Sequence, residues 1–315
     1  MNNMSRSFRR AEKTFLRRFN VKSLLTLKDL TLNEISGVLD QAELFRSGMS
    51  YPCSGKLVAN LFFEPSTRTH YSFTAAEKRL GFGTLDFAPE ASSMKKGETF
   101  YDTVKTFESM GVSAMVIRHT ENEYYKQLES VKVPILNAGD GTGNHPTQSL
   151  LDLLTIRQEF GKFEGLNIAI IGDVLHSRVA HTNFEVFKRF GMNTYYSCPD
   201  SYRDDSIAAQ PITMDEAVKN MDIVMLLRVQ HERHANAQTM TEAEYNSLYG
   251  MNADRLAKMK PGAIIMHPGP YNRGAELTDD VVECDRSRIF RQINNGVYVR
   301  MAVLKRAVEE NNNNF

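Results

Sequence analysis

The sequence predicts an α/β protein of two domains, each a parallel β-sheet flanked by helices. Three features point there. Short apolar runs of strand length alternate with polar loops and with segments whose apolar residues recur every three or four positions, the order that the crossovers of a parallel sheet require. The alternation is interrupted near residue 150 by a long helical stretch and starts afresh at Asn167-Ile168-Ala169-Ile170-Ile171. A length of 315 residues supplies two buried cores.

Residues 1–21 form a basic extension, with Arg6, Arg9, Arg10, Lys13, Arg17 and Arg18 against Glu12. An organelle-targeting peptide is the alternative, and the segment takes no part in the fold prediction. Ile35, Val38, Leu39, Ala42 and Phe45 have helical spacing. The apolar run 56–63 predicts a strand, closed by Glu64-Pro65-Ser66-Thr67, where proline and hydroxyls favour a helix start. Further strands are predicted at 83–87, 114–118 and 133–137, with a loop through Lys96-Gly97-Glu98 and a helix between the first two. A glycine-rich loop, 139–145, leads to a helix over 150–160, and the domain boundary is set there, giving a first domain of 22–149 and a second of 150–296. The second domain's strands fall at 167–171, 193–197, 223–227 and 263–267, and a last helix runs over 297–310 into an Asn-rich end.

Thirty-eight lysines and arginines balance thirty-eight aspartates and glutamates. No global field therefore draws the chain to nucleic acid or an anionic membrane, and an anion site has to be a local cluster. The 42% hydrophobic and 24% charged fractions are those of an ordinary globular protein. Cys53, Cys198 and Cys284 are too scattered for a disulfide framework or a zinc-binding pair, which fits a reducing cytoplasm. No apolar stretch reaches the roughly 18 residues of a membrane span.

Ser66-Thr67-Arg68-Thr69 gathers three hydroxyls and a guanidinium where a helix presents unpaired N–H groups and the positive end of its dipole, the physical outline of a phosphate site. The Walker pattern is absent. The loop from Gly139 to Gly143 would let the backbone approach a ligand closely, with His145 and Gln148 near the start of the next helix. Gly172-Asp173 opens like a dinucleotide fold but lacks the GxGxxG pattern. Arg178 and Arg228 instead follow the carboxyl ends of parallel strands, where ligands bind, and two guanidiniums suit a substrate with two carboxylates.

In this order the motifs resemble the transcarbamoylase family over nearly all of residues 22–308. The marks are Phe63-Glu64-Pro65-Ser66-Thr67-Arg68-Thr69, Lys95-Lys96-Gly97-Glu98, Ile117-Arg118-His119, Asn137-Ala138-Gly139-Asp140-Gly141 with His145-Pro146-Thr147-Gln148, Leu227-Arg228-Val229-Gln230, and His267-Pro268-Gly269-Pro270. The resemblance implies transfer of the carbamoyl group of carbamoyl phosphate to the amine of L-aspartate in pyrimidine synthesis, with no metal and no organic cofactor. It implies a phosphate cradle of Ser66, Thr67, Arg68 and Thr69, with Arg118 on phosphate and carbonyl oxygen. Thr69, Arg118 and His145 would polarise that carbonyl, and Gln148 would hold the carbamoyl amide. Arg178, Arg228 and Gln230, with Gly269 and Pro270, would hold aspartate. Ser92 and the catalytic Lys96 would enter from a neighbouring subunit of a homotrimer with shared active sites. Residues 22–149 would bind carbamoyl phosphate, completed by the C-terminal helix 297–315, and 150–296 would bind aspartate. Glu64 would pair with Arg178 and Arg233 across the cleft as the domains close with both substrates bound.

Some positions depart from the family pattern. His70 stands where many relatives have arginine, Gly269 where others have leucine, and Ser92 and Ser93 compete for one role. An ornithine-type acceptor fits poorly, because its His-Cys-Leu-Pro motif is missing and a cation would face Arg178 and Arg228. A non-catalytic paralogue would be expected to have lost some of these charged residues. Association with a regulatory chain or a dihydroorotase is left open by the sequence.

Overall fold

The structure, a computed structural model, describes residues 22–229 and 240–309. Gln230 and Arg233, the basic extension and the Asn-rich end lie outside the described residues.

The first sheet contains β1 (Leu57–Phe62), β2 (Gly83–Phe87), β3 (Ala114–His119) and β4 (Ile135–Asp140), in the order β2-β1-β3-β4. The second contains β5 (Asn167–Ile171), β6 (Asn193–Ser197), β7 (Gln210–Pro211), β8 (Ile223–Leu226) and β9 (Ile264–Met266), in the order β7-β6-β5-β8-β9. Every pairing between these strands is parallel. The helices are α1 (Leu32–Arg46), α2 (Thr67–Leu80), α3 (Phe100–Ser109), α4 (Pro146–Phe160), α5 (Arg178–Arg189), α6 (Met214–Asn220), α7 (Glu242–Tyr249), α8 (Ala253–Lys258), α9 (Asp279–Val282) and α10 (Ile289–Val308).

Side chains alternate across each strand, so each sheet is buried twice. In β1, Val58 faces a core shared by both sheets, whereas Ala59 and Leu61 face an outer core of the first sheet. In β5, Ile168 and Ile170 face the shared core, and Ala169 and Ile171 face an outer core of the second sheet. The C-terminal helix α10 leaves the second sheet and packs on α1, α2 and α4. Among the described residues no helix is long and apolar enough to cross a membrane.

The strands β2, β5 and β6 have the predicted bounds, and other boundaries move for physical reasons. Helix α4 starts at Pro146 rather than 150, because proline at the first helical position gives up an N–H that has no partner there. Strand β4 runs on to Asp140, through residues predicted to form a loop. Helix α10 starts at Ile289 rather than 297. The three residues before the predicted start, Asn294-Asn295-Gly296, are poor helix formers, but the Asn295 amide donates to Thr155 Oγ1 and Gln158 Oε1 of α4, both at 2.9 Å, so its polar group is satisfied with the backbone helical. The short helices α6 and α7, absent from the sequence prediction, each open on a reciprocal capping box, Thr213 with Glu216 and Thr241 with Glu244.

Leu304 is fully buried on α10 in the core shared by both sheets. Leu304→Ala is expected to lower unfolding free energy by about 2 to 5 kcal/mol, measured by urea denaturation. A loss below about 1 kcal/mol would mean that this helix is not part of the cooperative core.

Candidate active site

Each sheet reverses its strand order once, between β1 and β3 in the first and between β5 and β8 in the second. Loops leaving such a pair diverge and open a crevice at the strands' carboxyl ends. From β1 the chain enters Glu64 to Thr69, and β3 carries Arg118 near its end. Past β5 comes the turn to Arg178, and Arg228 follows β8. Residues from both crevices line one cavity of about 620 Å³. Arg68, Arg118, Arg178, Arg228 and Arg300 line it, and Glu64 is the sole lining carboxylate among the described residues.

Helix α2 begins at the cavity with little to neutralise its positive end. Ser66 holds the N-cap position but makes no side-chain cap bond, and the first turn carries no acid. The Ser66 hydroxyl instead accepts from Arg118 Nη1 at 3.2 Å. The helix's leading N–H groups are thereby left for an anion.

Glu64 Oε2 accepts from Arg118 Nε at 2.9 Å and from Arg178 Nη2 at 2.7 Å. Burial raises its carboxyl pKa, but the two guanidiniums outweigh burial and hold it below the usual carboxylate range. Burial, then Arg178, push Arg118 down to about 10, against the pull of Glu64. Glu64 and Arg178, predicted to meet when both substrates are bound, are already in contact here, while Arg233 lies outside the described residues.

His145 occupies the N-cap of α4, with its backbone N–H on Thr182 Oγ1 at 3.0 Å and its Nε2 3.5 Å from Thr69 Oγ1. Burial, followed by Arg118, Arg178 and Arg300, holds its pKa well below the ordinary histidine value, so the ring is neutral at pH 7. His145 Nδ1, Arg178 Nη1, His267 Nε2 and Arg300 Nε are buried without a hydrogen-bond partner among the described residues. Such atoms, gathered on one cavity, mark where a polar ligand would be held.

The lining includes Ser66, Thr67, Arg68, Thr69, Arg118, His145, Gln148, Arg178, Arg228, Gly269 and Pro270 among the residues singled out from sequence. Ser92 and Lys96 are not brought to the cavity by their own chain. The Ser92 hydroxyl donates to Pro89 O at 2.7 Å and caps a short turn over Ser93–Lys96, on which Lys96 is exposed. The expectation for the glycine loop needs correction. None of Gly139 to Gly143 lines the cavity; Gly139 has φ of +125°, and a Cβ there would lie 3.2 Å from Arg178 Nη1, so the backbone there makes room for this arginine.

Sequence reasoning missed Arg300 and His176. Arg300 is buried on α10, 5.1 Å over the Phe73 ring, and burial, then Arg118, push its pKa down to about 9. Its signal was a lone cation on an otherwise apolar helix face. His176 lines the cavity with Nδ1 3.0 Å from the buried Asp173 carboxylate. Among the described residues no group of three or more His, Cys, Asp or Glu side chains could hold a metal ion.

Two family models match the chain. The one described as aspartate/ornithine carbamoyltransferase, carbamoyl-P binding domain, covers residues 22–158, and the one for the Asp/Orn binding domain covers 164–307. Solved structures of aspartate transcarbamoylase from Trypanosoma cruzi are similar. The complex with N-(phosphonacetyl)-L-aspartic acid is 31% identical with a TM-score of 0.82, over 91% of this chain and 95% of that one. The complex with carbamoyl phosphate and aspartate is 31% identical with a TM-score of 0.82, over 91% and 96%. The ligand-free form is 28% identical with a TM-score of 0.79, over 91% and 96%.

Gly269 has φ of +65°, and a Cβ there would lie 2.8 Å from Arg68 Nε. The obstructing atom ends a flexible side chain, so Gly269→Ala is expected to fold but to displace the Arg68 guanidinium, with a backbone cost of about 1 to 2 kcal/mol. Inorganic phosphate should bind at least about tenfold more weakly by calorimetry, or roughly 1.4 kcal/mol. Unchanged phosphate affinity would show that Gly269 does not set the position of Arg68.

Proposed function

The chain belongs to the aspartate/ornithine carbamoyltransferase family, and on that premise we propose that it transfers the carbamoyl group of carbamoyl phosphate to the amine of L-aspartate, releasing phosphate and N-carbamoyl-L-aspartate for pyrimidine biosynthesis. The observation that carries this reading is the division of four of the cavity's five arginines, Arg68 and Arg118 against Arg178 and Arg228, between the switch points of two sheets. One group suits a phosphate and the other a dicarboxylate.

Ser66, Thr67, Arg68 and Thr69 at the start of α2, with Arg118, cradle the phosphate. Thr69, Arg118 and the neutral His145 donate to the carbonyl oxygen, which gains negative charge as the amine attacks and the tetrahedral intermediate forms. The amine supplies the electron pair of the new C–N bond, the C–O bond to phosphate breaks, and the amine proton leaves with solvent or phosphate. Gln148 holds the carbamoyl amide. Arg178 and Arg228 bind the aspartate carboxylates, joined by Gln230, by the backbone of Gly269 and Pro270, and by Lys96. Orientation and fixed charge supply the acceleration, and no step calls on a metal or an organic cofactor. Residues 22–149 with the C-terminal helix serve as the carbamoyl phosphate domain, and 150–296 as the aspartate domain. Three unpaired cysteines support a cytoplasmic location.

Exposed Lys96 and nearby Ser92 are best used by a neighbouring copy, in a homotrimer with shared sites. Mixing Lys96→Ala and His145→Ala chains after dissociation should restore activity, since some interfaces then join an intact Lys96 to an intact His145. Mixed trimers seen by native mass spectrometry but no more active than the parents would rule out sharing.

Phosphate release from carbamoyl phosphate, assayed with aspartate and ornithine in parallel, tests the reaction; turnover with ornithine alone would refute it. Arg68→Ala should keep the fold and lose about 3 to 5 kcal/mol of transition-state stabilisation, on the order of hundreds- to thousands-fold in rate. Retention of more than about a tenth of the rate would remove Arg68 from the machinery.

A further inference from the structure

Asp152 lies on α4, one helical turn beyond Gln148, and is fully buried. Three side-chain amides converge on its carboxylate. Oδ1 accepts from Gln148 Nε2 at 3.0 Å and from Gln292 Nε2 at 2.8 Å, and Oδ2 accepts from Asn183 Nδ2 at 2.9 Å. The three come from α4, α10 and α5.

An ionised carboxylate can only accept, so each amide must turn its NH2 toward Asp152. The carbonyl oxygen of Gln292 is then free to accept the His267 backbone N–H at 2.9 Å, which ties the loop through Pro270 to the same carboxylate. The carbonyl oxygen of Gln148 lies on the side of its amide turned away from Asp152, and Gln148 lines the cavity. An amide free to flip would offer either a donor or an acceptor to a ligand. A locked one keeps its NH2 on Asp152 and presents its carbonyl oxygen on the side turned away.

We propose that Asp152 is a positioning residue that selects a carbamoyl group over other acyl groups, by holding the Gln148 carbonyl oxygen where it must receive an N–H. This rests on the reading of Gln148 as the carbamoyl contact. A buried acceptor facing a methyl group in place of an NH2 goes unpaired, which is the strongest form of rejection a pocket has. Burial pushes the Asp152 carboxyl up to about 6, opposed by the three amides and by Arg300, so the acceptor-only form prevails at neutral pH.

Acetyl phosphate, which carries CH3 where carbamoyl phosphate carries NH2, is the probe. In Asp152→Asn the side chain brings donors of its own, and the three amides cannot all keep their orientation. Carbamoyl phosphate should then bind and react about ten- to a hundredfold less well, while the affinities of acetyl phosphate and inorganic phosphate change less than about threefold, so that discrimination narrows. Equal losses for all three ligands would reduce Asp152 to a structural role and overturn the proposal, as would unchanged discrimination in a folded variant. Asp152→Ser, which also removes the fixed acceptor pair, serves if the first variant is insoluble. Gln148→Ala separates the two readings. If it narrows discrimination and neither Asp152 variant does, only the role of Asp152 fails; if it too leaves discrimination intact, the assignment of Gln148 itself is wrong.

Discussion

One carboxylate, Glu64, stands between guanidiniums from two sheets, and the rest of the site depends on that arrangement. Unit charges 4 Å apart in a partly screened protein setting interact by about 4 kcal/mol. Five arginines around one cavity would drive its walls apart unless something offset them. Glu64 offsets two, one on the first sheet's β3 and one at the start of α5. Arg68 lines the same cavity and adds a positive charge that Glu64 does not meet. The cluster is therefore biased electrostatically toward anions, and the proposed phosphate and dicarboxylate would relieve it in the two places where the strand order turns.

The site's histidines complement that design by staying uncharged. His145 is held neutral, and burial, then Arg68, take His267 down to about 3. Cationic binding is thus assigned to groups that do not titrate near neutrality, and hydrogen-bond donation to groups that carry no charge there. A fall in pH from 8 to 6 would change neither the His145 nor the His267 contribution to the field.

Much of this was legible from the chain alone, because the information is local. A strand-length apolar run followed by hydroxyls and an arginine predicts a cradle at Ser66 to Thr69, and Arg178 and Arg228 follow apolar runs in the same way. What stayed hidden depends on distant partners. Asp152 reads as an ordinary polar residue of a helix until Gln292 and Asn183 arrive from other elements. Gly139 looks like room for a ligand until Arg178 fills it. Arg300, alone among apolar neighbours on its helix, is buried by Phe73 arriving from α2. The early start of α10 likewise turns on the Asn295 amide finding α4, a contact with no local signature.

The chain passes between its two sheets twice, forward along α4 and back along α10, and those helices are riveted side by side. Asn295 holds Thr155, Gln292 holds Asp152, and Arg288 holds Glu159 at 2.8 Å. A single tether between two bodies is a ball joint, with three rotations to suppress before a ligand can be gripped. Two parallel tethers fastened along their length make a door hinge, with one easy swing about the seam and stiff resistance to twist and slide. Glu64 and Arg178 would then work as the latch on the opening edge, and each approach of the two arginine groups would retrace the same arc.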